Sequence, residues 1–180
     1  NDEPASLIID PTDPSKVFAT FRSIGGAKRA FRSIHAGASW AAIDPVNSTA
    51  AGLVMDPNDS SVLILHGTAG VFYRSSDGGD TWSEVVGLTD HRTRKYWQPG
   101  LGGLCLHSIV LDPSDNDRMW VGLSAVGVFG TSDGGRKWKP LNKGVRADFL
   151  PDPYPTFGQC PHKVLSHQAT PERLYQQNHC

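Results

Sequence analysis

The amino-acid sequence predicts an all-β fold made of repeated four-stranded units, and three observations support this prediction. Three stretches share one pattern, in which an apolar run, an Asp-Pro pair, a polar turn and a second apolar run follow each other. A glycine-rich motif that ends in tryptophan recurs between these copies. Apolar residues alternate or form short runs, and no long window has the 3.6-residue period of a helix.

The first repeated element is a pair of strands joined at Asp-Pro. Its clear copies are SLIIDPTDPSKVFAT, GLVMDPNDSSVLILH and SIVLDPSDNDRMWVG, in which the pairs begin at Asp10, Asp56 and Asp112. The intervals are 46 residues (56 − 10) and 56 residues (112 − 56). A weaker fourth copy, KVLSHQATPERLYQQ, has His167 and Gln168 in place of Asp-Pro. Each copy predicts two short strands separated by a tight turn.

The second repeated element predicts a hairpin. Its copies are YRSSDGGDTW at 73–82, FGTSDGGRKW at 129–138 and a degenerate FRSIHAGASW at 31–40. Glycine supplies the positive φ of the turn, the Asp carboxylate accepts backbone N–H groups across it, and the tryptophan offers an apolar face to a neighbouring sheet. These residues are therefore assigned a structural role: Ser75, Asp77, Gly79, Trp82, Ser132, Asp133, Gly135 and Trp138.

A repeat of about 45–55 residues with four short strands has the size of one β-propeller blade. In the second repeat the predicted strands are AGLVMD, SVLILHG, GVFYRSS and TWSEVV. The whole chain, 1–180, is predicted to be a partial propeller domain, with blades at about 5–45, 50–87 and 104–140 and half a blade at about 161–180. Because propellers close with about four to eight blades, we expect the sequence to be a fragment of a longer protein.

The segment SSDGGDTW resembles the S-x-D-x-G-x-T-W consensus of the Asp box, or BNR repeat. That repeat occurs in sialidases, xyloglucan-type glycoside hydrolases, Vps10/sortilin receptors and photosystem II assembly factors. The wider sequence, with GLGGLCLHSIVLDP, NKGVRADFLPDPYPTFGQCPHK and RLYQQNHC, is similar to bacterial BNR-repeat proteins described as glycosyl hydrolases or sialidase-like. The resemblance covers essentially the whole chain and implies a WD40/YVTN-like propeller with Asp-box turns. It implies an activity less specifically, since one fold serves many functions.

Charge and composition limit the classes of partner that the sequence leads us to expect. The 17 basic and 18 acidic side chains give no electrostatic reason to expect nucleic acid or an anionic membrane as partner. No apolar run approaches the roughly 20 residues that span a bilayer, and the first ten residues do not have the pattern of a signal peptide. The 3 cysteines cannot all pair within the chain, which favours a reducing, cytoplasmic location.

Two long links between predicted blades contain candidate ligand-binding residues. They are GLTDHRTRKYWQPGLGG after the second blade and LNKGVRADFLPDPYPTFGQCP after the third. In Asp-box propeller enzymes the face opposite the boxes carries the site, and the resemblance implies the same here. Aromatic rings stack on sugars, whereas Arg and Asp bind polar groups, although the aromatic residues could instead pack the loops against the blades. The candidates are Asp90, His91, Arg92, Arg94, Lys95, Tyr96, Trp97, Arg146, Asp148, Tyr154, Phe157 and Gln159.

A second set of candidates comes from aligning the repeats. Cys105-x-His107 and Cys160-x-His162 are separated by 55 residues and begin the innermost strands of adjacent blades. Residues two apart on a strand face the same side, so this set could bind zinc or copper, with Asn178, His179 and Cys180 following nearby. The alternative is that each cysteine packs as a small apolar residue and each histidine bonds a neighbouring loop. No other cofactor is expected.

Two classes of function remain open. A glycoside hydrolase needs two carboxyl groups about 5–9 Å apart, or a tyrosine nucleophile as in sialidases. Asp90, Asp148 and Asp152 lie in the long links, but their spacing does not pair them, and the Arg-Ile-Pro motif of sialidases is absent. The resemblance favours a sialidase-like, carbohydrate-directed protein. The alternative is a non-catalytic propeller that binds a protein or glycan.

Overall fold

The structure is a computed structural model that describes residues 3–22, 28–43, 45, 52–67, 70–100 and 103–179. The chain divides into two compact units, residues 1–84 and 85–180. Both consist of antiparallel sheets whose strands follow one another in chain order. Within the described ranges, no helix combines the length and apolar character that crossing a bilayer requires.

The first unit contains two four-stranded sheets, which we call blades 1 and 2. Blade 1 consists of β1 (Glu3–Ile9), β2 (Val17–Arg22), β3 (Lys28–Ser33) and β4 (Ala41–Ala42). Blade 2 consists of β5 (Gly52–Met55), β6 (Leu63–His66), β7 (Phe72–Ser75) and β8 (Ser83–Glu84). The strands of blade 2 lie inside the four segments that the sequence predicts.

The second unit contains one full sheet, blade 3, and one two-stranded sheet, half-blade 4. Blade 3 consists of β9 (Leu106–Asp112), β10 (Asp115–Leu123), β11 (Gly127–Thr131) and β12 (Lys139–Pro140). Half-blade 4 consists of β13 (Cys160–His167) and β14 (Thr170–His179). The degenerate fourth repeat therefore forms the predicted strand pair, and His167 Nδ1 accepts the Ala169 N–H at the turn where the other copies have aspartate.

The aspartates of the Asp-Pro pairs are buried turn residues. Asp10, Asp56 and Asp112 are each 1% exposed or less. In each of the three turns, Oδ1 of the aspartate accepts the backbone N–H two residues ahead, at 2.8 to 2.9 Å. A buried carboxylate that receives such bonds fixes the turn and offsets part of its own desolvation.

Each Asp-box turn is organised by one buried hydroxyl group. In blade 2, Ser75 Oγ accepts the N–H of Gly79 at 2.9 Å and donates to Asp77 Oδ1 at 2.7 Å. The Thr81 hydroxyl and N–H then donate to the Asp77 carboxylate, and these bonds, the hydroxyl first, lower the Asp77 pKa to about 2. The turn therefore satisfies its own polar groups without help from solvent.

The corresponding hydroxyl in blade 3 belongs to Thr131 and not to the predicted Ser132. Thr131 Oγ1 accepts the N–H of Gly135 at 3.1 Å and donates to Asp133 Oδ1 at 2.8 Å, whereas Ser132 is exposed. The prediction of Ser132 was wrong because the hydroxyl must lie two residues before the aspartate, as Ser75 lies before Asp77.

The degenerate copy in blade 1 keeps the hydroxyl and replaces the carboxylate. Ser33 Oγ accepts the N–H of Gly37 at 2.9 Å, as its equivalents do in blades 2 and 3. His35 stands where the aspartate is in the other boxes, and its Nδ1 lies 3.0 Å from Ser39 Oγ. The histidine therefore takes over the bond across the turn.

The glycine of each later box lies against an aliphatic residue that follows the preceding blade. In the first unit, a methyl group added at Gly79 would lie 3.0 Å from Ile43 Cδ1, and Trp82 Nε1 donates to the Ile43 carbonyl at 2.5 Å. In the second unit, a methyl group at Gly135 would collide with Val85. Both glycines also have φ above +90°, a conformation that residues with a side chain rarely adopt. Glycine is therefore required at both positions for the backbone conformation as well as for packing.

The box turns lie at one end of the strands, which we call the box face. In each full blade a box-turn N–H donates to a carbonyl near the connection between the first two strands. The acceptor lies in the turn itself in blades 1 and 2 and at the start of the second strand in blade 3, and the pairs are Ala36 to Ser15, Gly78 to Ser61 and Gly134 to Asp117, at 2.8 to 2.9 Å. In blade 3 the turn between the second and third strands, residues 124–126, lies at the opposite end of the strands, which we call the loop face of the second unit.

The box-turn geometry predicts a sharp difference between two adjacent hydroxyl residues. Thr131→Val removes the hydroxyl and leaves the Gly135 N–H without its partner in a buried position, so the free energy of unfolding should fall by about 1–3 kcal/mol. Ser132→Ala changes an exposed hydroxyl and should shift it by less than about 0.5 kcal/mol. Urea unfolding monitored by tryptophan fluorescence measures both. Equal losses in the two variants would contradict this account of the turn.

Candidate ligand-binding face

The candidate site lies on the loop face of the second unit. Two long links form it: loop A, residues 86–100, precedes blade 3, and loop B, residues 141–159, follows it. The bulged starts of β9 and β13 lie at the same end of the strands. Loop A, loop B and the bulged strand starts each present a different set of exposed groups.

Loop A folds through consecutive short-range hydrogen bonds around a buried tryptophan. Trp97 is 6% exposed, and its ring lies 5.3 Å from that of Phe129 in the core of blade 3 and 6.1 Å from that of His91. Thr93 Oγ1 accepts from Trp97 Nε1 at 2.9 Å and lies 2.8 Å from His91 Nδ1. Trp97 and His91 therefore hold the loop on the blade, and of the two alternatives for Trp97 the structure favours packing over ligand contact.

The outer side of loop A presents the remaining candidates. Arg94, Lys95 and Tyr96 form a short 3-10 turn, and Tyr96 is 57% exposed. The Arg94 guanidinium carbon lies 5.2 Å from the centroid of the Trp97 ring, and Lys95 Nζ lies 5.0 Å from that of Tyr96. Asp90 and Arg92 are exposed as well. Loop A thus places a fixed exposed ring among cationic side chains.

Two buried amides hold loop B in place. Asn142 Oδ1 accepts the Val128 N–H at 2.7 Å, and its Nδ2 donates to the Thr156 carbonyl at 3.0 Å. Gln159 is fully buried and donates to the carbonyls of Val145 and Pro155. Gln159 therefore closes the loop and cannot face a ligand, contrary to the prediction.

Tyr154 and Phe149 are the exposed aromatic residues of loop B, at 58% and 47%. Phe149 was not among the sequence candidates, although it lies in the same aromatic-rich link and the same rule would have found it. Phe157, which was a candidate, is only partly exposed. Tyr154 follows a turn in which its own N–H donates to Asp152 Oδ1 at 2.9 Å.

The charged groups of loop B are occupied locally. Asp148 forms a salt bridge with Arg146, with 2.5 Å between Oδ1 and Nε. Asn178 on β14 donates to the Arg146 carbonyl at 2.9 Å and so connects the loop to half-blade 4. The candidates Asp148, Arg146 and Asn178 are therefore gathered in one place, while the Asp152 carboxylate serves the turn before Tyr154.

His107 and His162 occupy equivalent bulges in β9 and β13. Gly122 pairs with Ser108 and Leu123 with Leu106, which leaves His107 as an extra residue. The pairing of β13 with β14 skips His162 in the same way. Both imidazoles are exposed, and their ring centroids lie 5.9 Å apart. Bulges commonly re-aim side chains next to functional sites, so this pair stays a candidate for ligand contact.

The cysteines do not join the histidines in a ligand set. Within the described residues, no three His, Cys, Asp or Glu side chains come together as metal ligands. Cys160 Sγ lies 3.2 Å from Ser124 Oγ, and the Cys105 carbonyl accepts the Ser124 N–H at 2.8 Å. The bulges break the regular alternation on which the Cys2His2 prediction depended. The His179 side chain and Cys180 lie outside the described residues.

The electrostatics of the loop face favour neutral histidines. Although the His107 ring is exposed at the surface, partial desolvation by its neighbours, and secondly the charge of His162, lower the pKa of His107 below its ordinary 6.5. Burial and the charge of Arg92 lower the pKa of His91, against an opposing hydrogen bond with the Trp138 backbone. Both rings are therefore uncharged at neutral pH. The described carboxyl groups with shifted pKa values are all lowered and lie in turns of the box face, namely Asp10, Asp13, Asp59, Asp77 and Asp133.

Comparison with known proteins places the chain by its fold. No family model and no curated protein matches it. A GH74 enzyme from Niastella koreensis superimposes with a TM-score of 0.64 at 20% identity, over 97% of this chain and 26% of that one. A GH74 xyloglucanase from Xanthomonas campestris gives 0.61 at 21%, over 89% and 25%. YCF48 from Cyanidioschyzon merolae gives 0.52 at 18%, over 77% and 36%.

The chain has an all-β propeller fold made of four-stranded antiparallel blades. The predicted fold class is thereby confirmed, and the chain spans about a quarter of the length of the two GH74 enzymes. Identities near 20% establish likeness of fold alone. Activity and ligand must therefore be argued from the loop face itself.

The paired histidines give a testable titration. His162→Gln removes the neighbouring positive charge, so the pKa of His107 should rise while staying below 6.5, because partial desolvation remains the larger cause. An NMR titration that follows the His107 Cε1 proton measures this pKa. His167→Gln, at the far end of the same hairpin, is the matched control and should leave the His107 pKa unchanged. An unaltered His107 pKa in the His162 variant would refute the coupling.

Proposed function

We propose that this chain contributes a carbohydrate-binding face to a β-propeller protein, with Tyr96 and Tyr154 as the sugar-stacking residues. The observation that carries the proposal is their exposure, 57% and 58%, on loops that buried residues hold in place. Tyrosine offers a flat amphipathic surface at low conformational cost, and a fixed loop reduces the entropy lost on binding.

The chemistry of the loop face favours binding over hydrolysis. A glycosidase needs two carboxyl groups about 5–9 Å apart, one of them with a raised pKa. On loop B, Asp148 is paired with Arg146, and Asp152 accepts a backbone N–H in a turn. We therefore assign a polysaccharide-binding role to this chain and no catalytic residue. Sialidase-like hydrolysis by the chain itself has no support in these contacts.

The likeness in fold to GH74 enzymes makes polysaccharide the first class of ligand to test. One of those neighbours is described as a xyloglucanase, which makes xyloglucan the natural first probe. A protein ligand is the competing class, and it would use the same exposed rings. The two classes are separated by direct binding measurements.

Affinity electrophoresis and calorimetry with xyloglucan test the assignment. Tyr96→Ala and Tyr154→Ala should each weaken binding about 2- to 10-fold, because an aromatic stacking contact contributes about 0.5–1.5 kcal/mol. Tyr175→Ala is the matched control, since Tyr175 is 53% exposed on β14 and outside both loops. Retained affinity in both loop variants, or an equal loss in the control, would refute the assignment, as would failure of the unmodified chain to bind any polysaccharide.

Hydrolysis is tested separately with a panel of aryl glycosides and sialosides. We expect no turnover by this chain, because the loop-B carboxylates are engaged in local contacts. Turnover that Asp148→Asn abolishes would contradict the binding-only assignment and identify that residue as part of a catalytic pair.

A further inference from the structure

Positive charge is concentrated on loop A. Its residues 86–100 contain three cationic side chains, Arg92, Arg94 and Lys95, and one acid, Asp90, for a net charge of +2 (3 − 1). Loop B, with two cations and two acids, has a net charge of zero (2 − 2), and the whole chain has −1. The excess is therefore a local property of one loop and not of the chain.

One cation of loop A lies against its exposed tyrosine ring, and a second lies against the buried tryptophan that follows it. Lys95 Nζ is 5.0 Å from the centroid of the Tyr96 ring, and the Arg94 guanidinium is 5.2 Å from that of Trp97, one residue further on. Cation–π contacts of this kind restrict the side chains and hold their charges close to the ring face. Arg92 is exposed on the preceding turn. A sugar stacked on Tyr96 would therefore lie within reach of cationic groups.

Neutral sugars offer such cations only hydroxyl oxygens as acceptors, whereas a carboxylate or sulfate on the sugar adds attraction between opposite charges. Hydrogen bonds from lysine or arginine to an anionic oxygen are roughly twice as strong as neutral ones. Exposed charges act over a Debye length of about 8–10 Å at physiological salt, so anionic groups on neighbouring sugars of a polymer contribute as well. A repeating anionic polymer gains more from loop A than a single charged sugar does.

We propose that loop A selects anionic polysaccharides, with Tyr96 stacking on a sugar ring and Arg92 and Lys95 binding its carboxylate or sulfate. This inference rests on the carbohydrate-binding role proposed above and names the class of ligand. Loop B, with no net charge, supplies Tyr154 as a stacking surface without selecting for charge. The near-neutral chain as a whole disfavours nucleic acid as the polyanion.

The test compares three polymers at low and high salt: polygalacturonate, which has carboxylates, dextran sulfate, and neutral xyloglucan. The double variant Arg92→Gln, Lys95→Gln should lose about tenfold or more in affinity for the anionic polymers and keep its affinity for xyloglucan. The matched control, Arg136→Gln with Lys137→Gln, removes two exposed charges from the box turn of blade 3 and should bind as the unmodified chain does. Added salt should reduce the difference between the unmodified chain and the loop A variant.

The outcomes separate this inference from the role on which it rests. Equal affinity for neutral and anionic polymers, or no loss in the loop A variant, overturns the selection for charge and leaves carbohydrate binding in place. Failure to bind all three polymers overturns both. Tighter binding to a single-stranded oligonucleotide than to any of them also overturns the inference. Preference for polygalacturonate or for dextran sulfate supports it and identifies the anionic group.

Discussion

The hydrogen bond from a glycine N–H to a buried hydroxyl is the interaction on which the rest of each full blade depends. It occurs in all three boxes, through Ser33, Ser75 and Thr131. By closing the turn, it fixes where the third strand ends and the fourth begins. It also leaves a buried glycine whose lack of a side chain makes room for Ile43 in one unit and for Val85 in the other. Strand pairing, turn and packing therefore follow from one buried contact.

The repeat was predictable because its signals are local. An Asp-Pro turn and a glycine-rich turn bracket each strand pair, so the order of the strands within each repeat follows from the sequence alone. The sequence did not indicate which of two adjacent hydroxyl residues accepts the glycine N–H in the box turn of blade 3. Ser132 and Thr131 both carry hydroxyl groups, and only the backbone of the turn decides that Thr131 faces inward.

The loop-face predictions were limited by the same gap between local pattern and tertiary packing. Trp97 and Tyr96 are adjacent, yet one is 6% exposed and the other 57%, because Phe129 from another part of the chain receives the tryptophan. The bulges at His107 and His162 depend on pairing with β10 and β14, which spacing along one strand does not reveal. The sequence thus locates the two long loops but does not indicate which of their side chains are exposed.

The position of Asn142 affects how the sequence and length of loop B can vary. Its amide bonds the start of β11 with one end and Thr156 with the other, so this side chain and Gln159 together close loop B at its base. The entropy of closing a flexible loop grows only with the logarithm of its length, by about 0.6 kcal/mol for each doubling. Exposed residues between the two bonded points can therefore be inserted, deleted or exchanged at small thermodynamic cost, as long as the buried Ala147 and the carbonyls that Gln159 binds are kept. The fold can acquire new specificities there while its strands stay as they are.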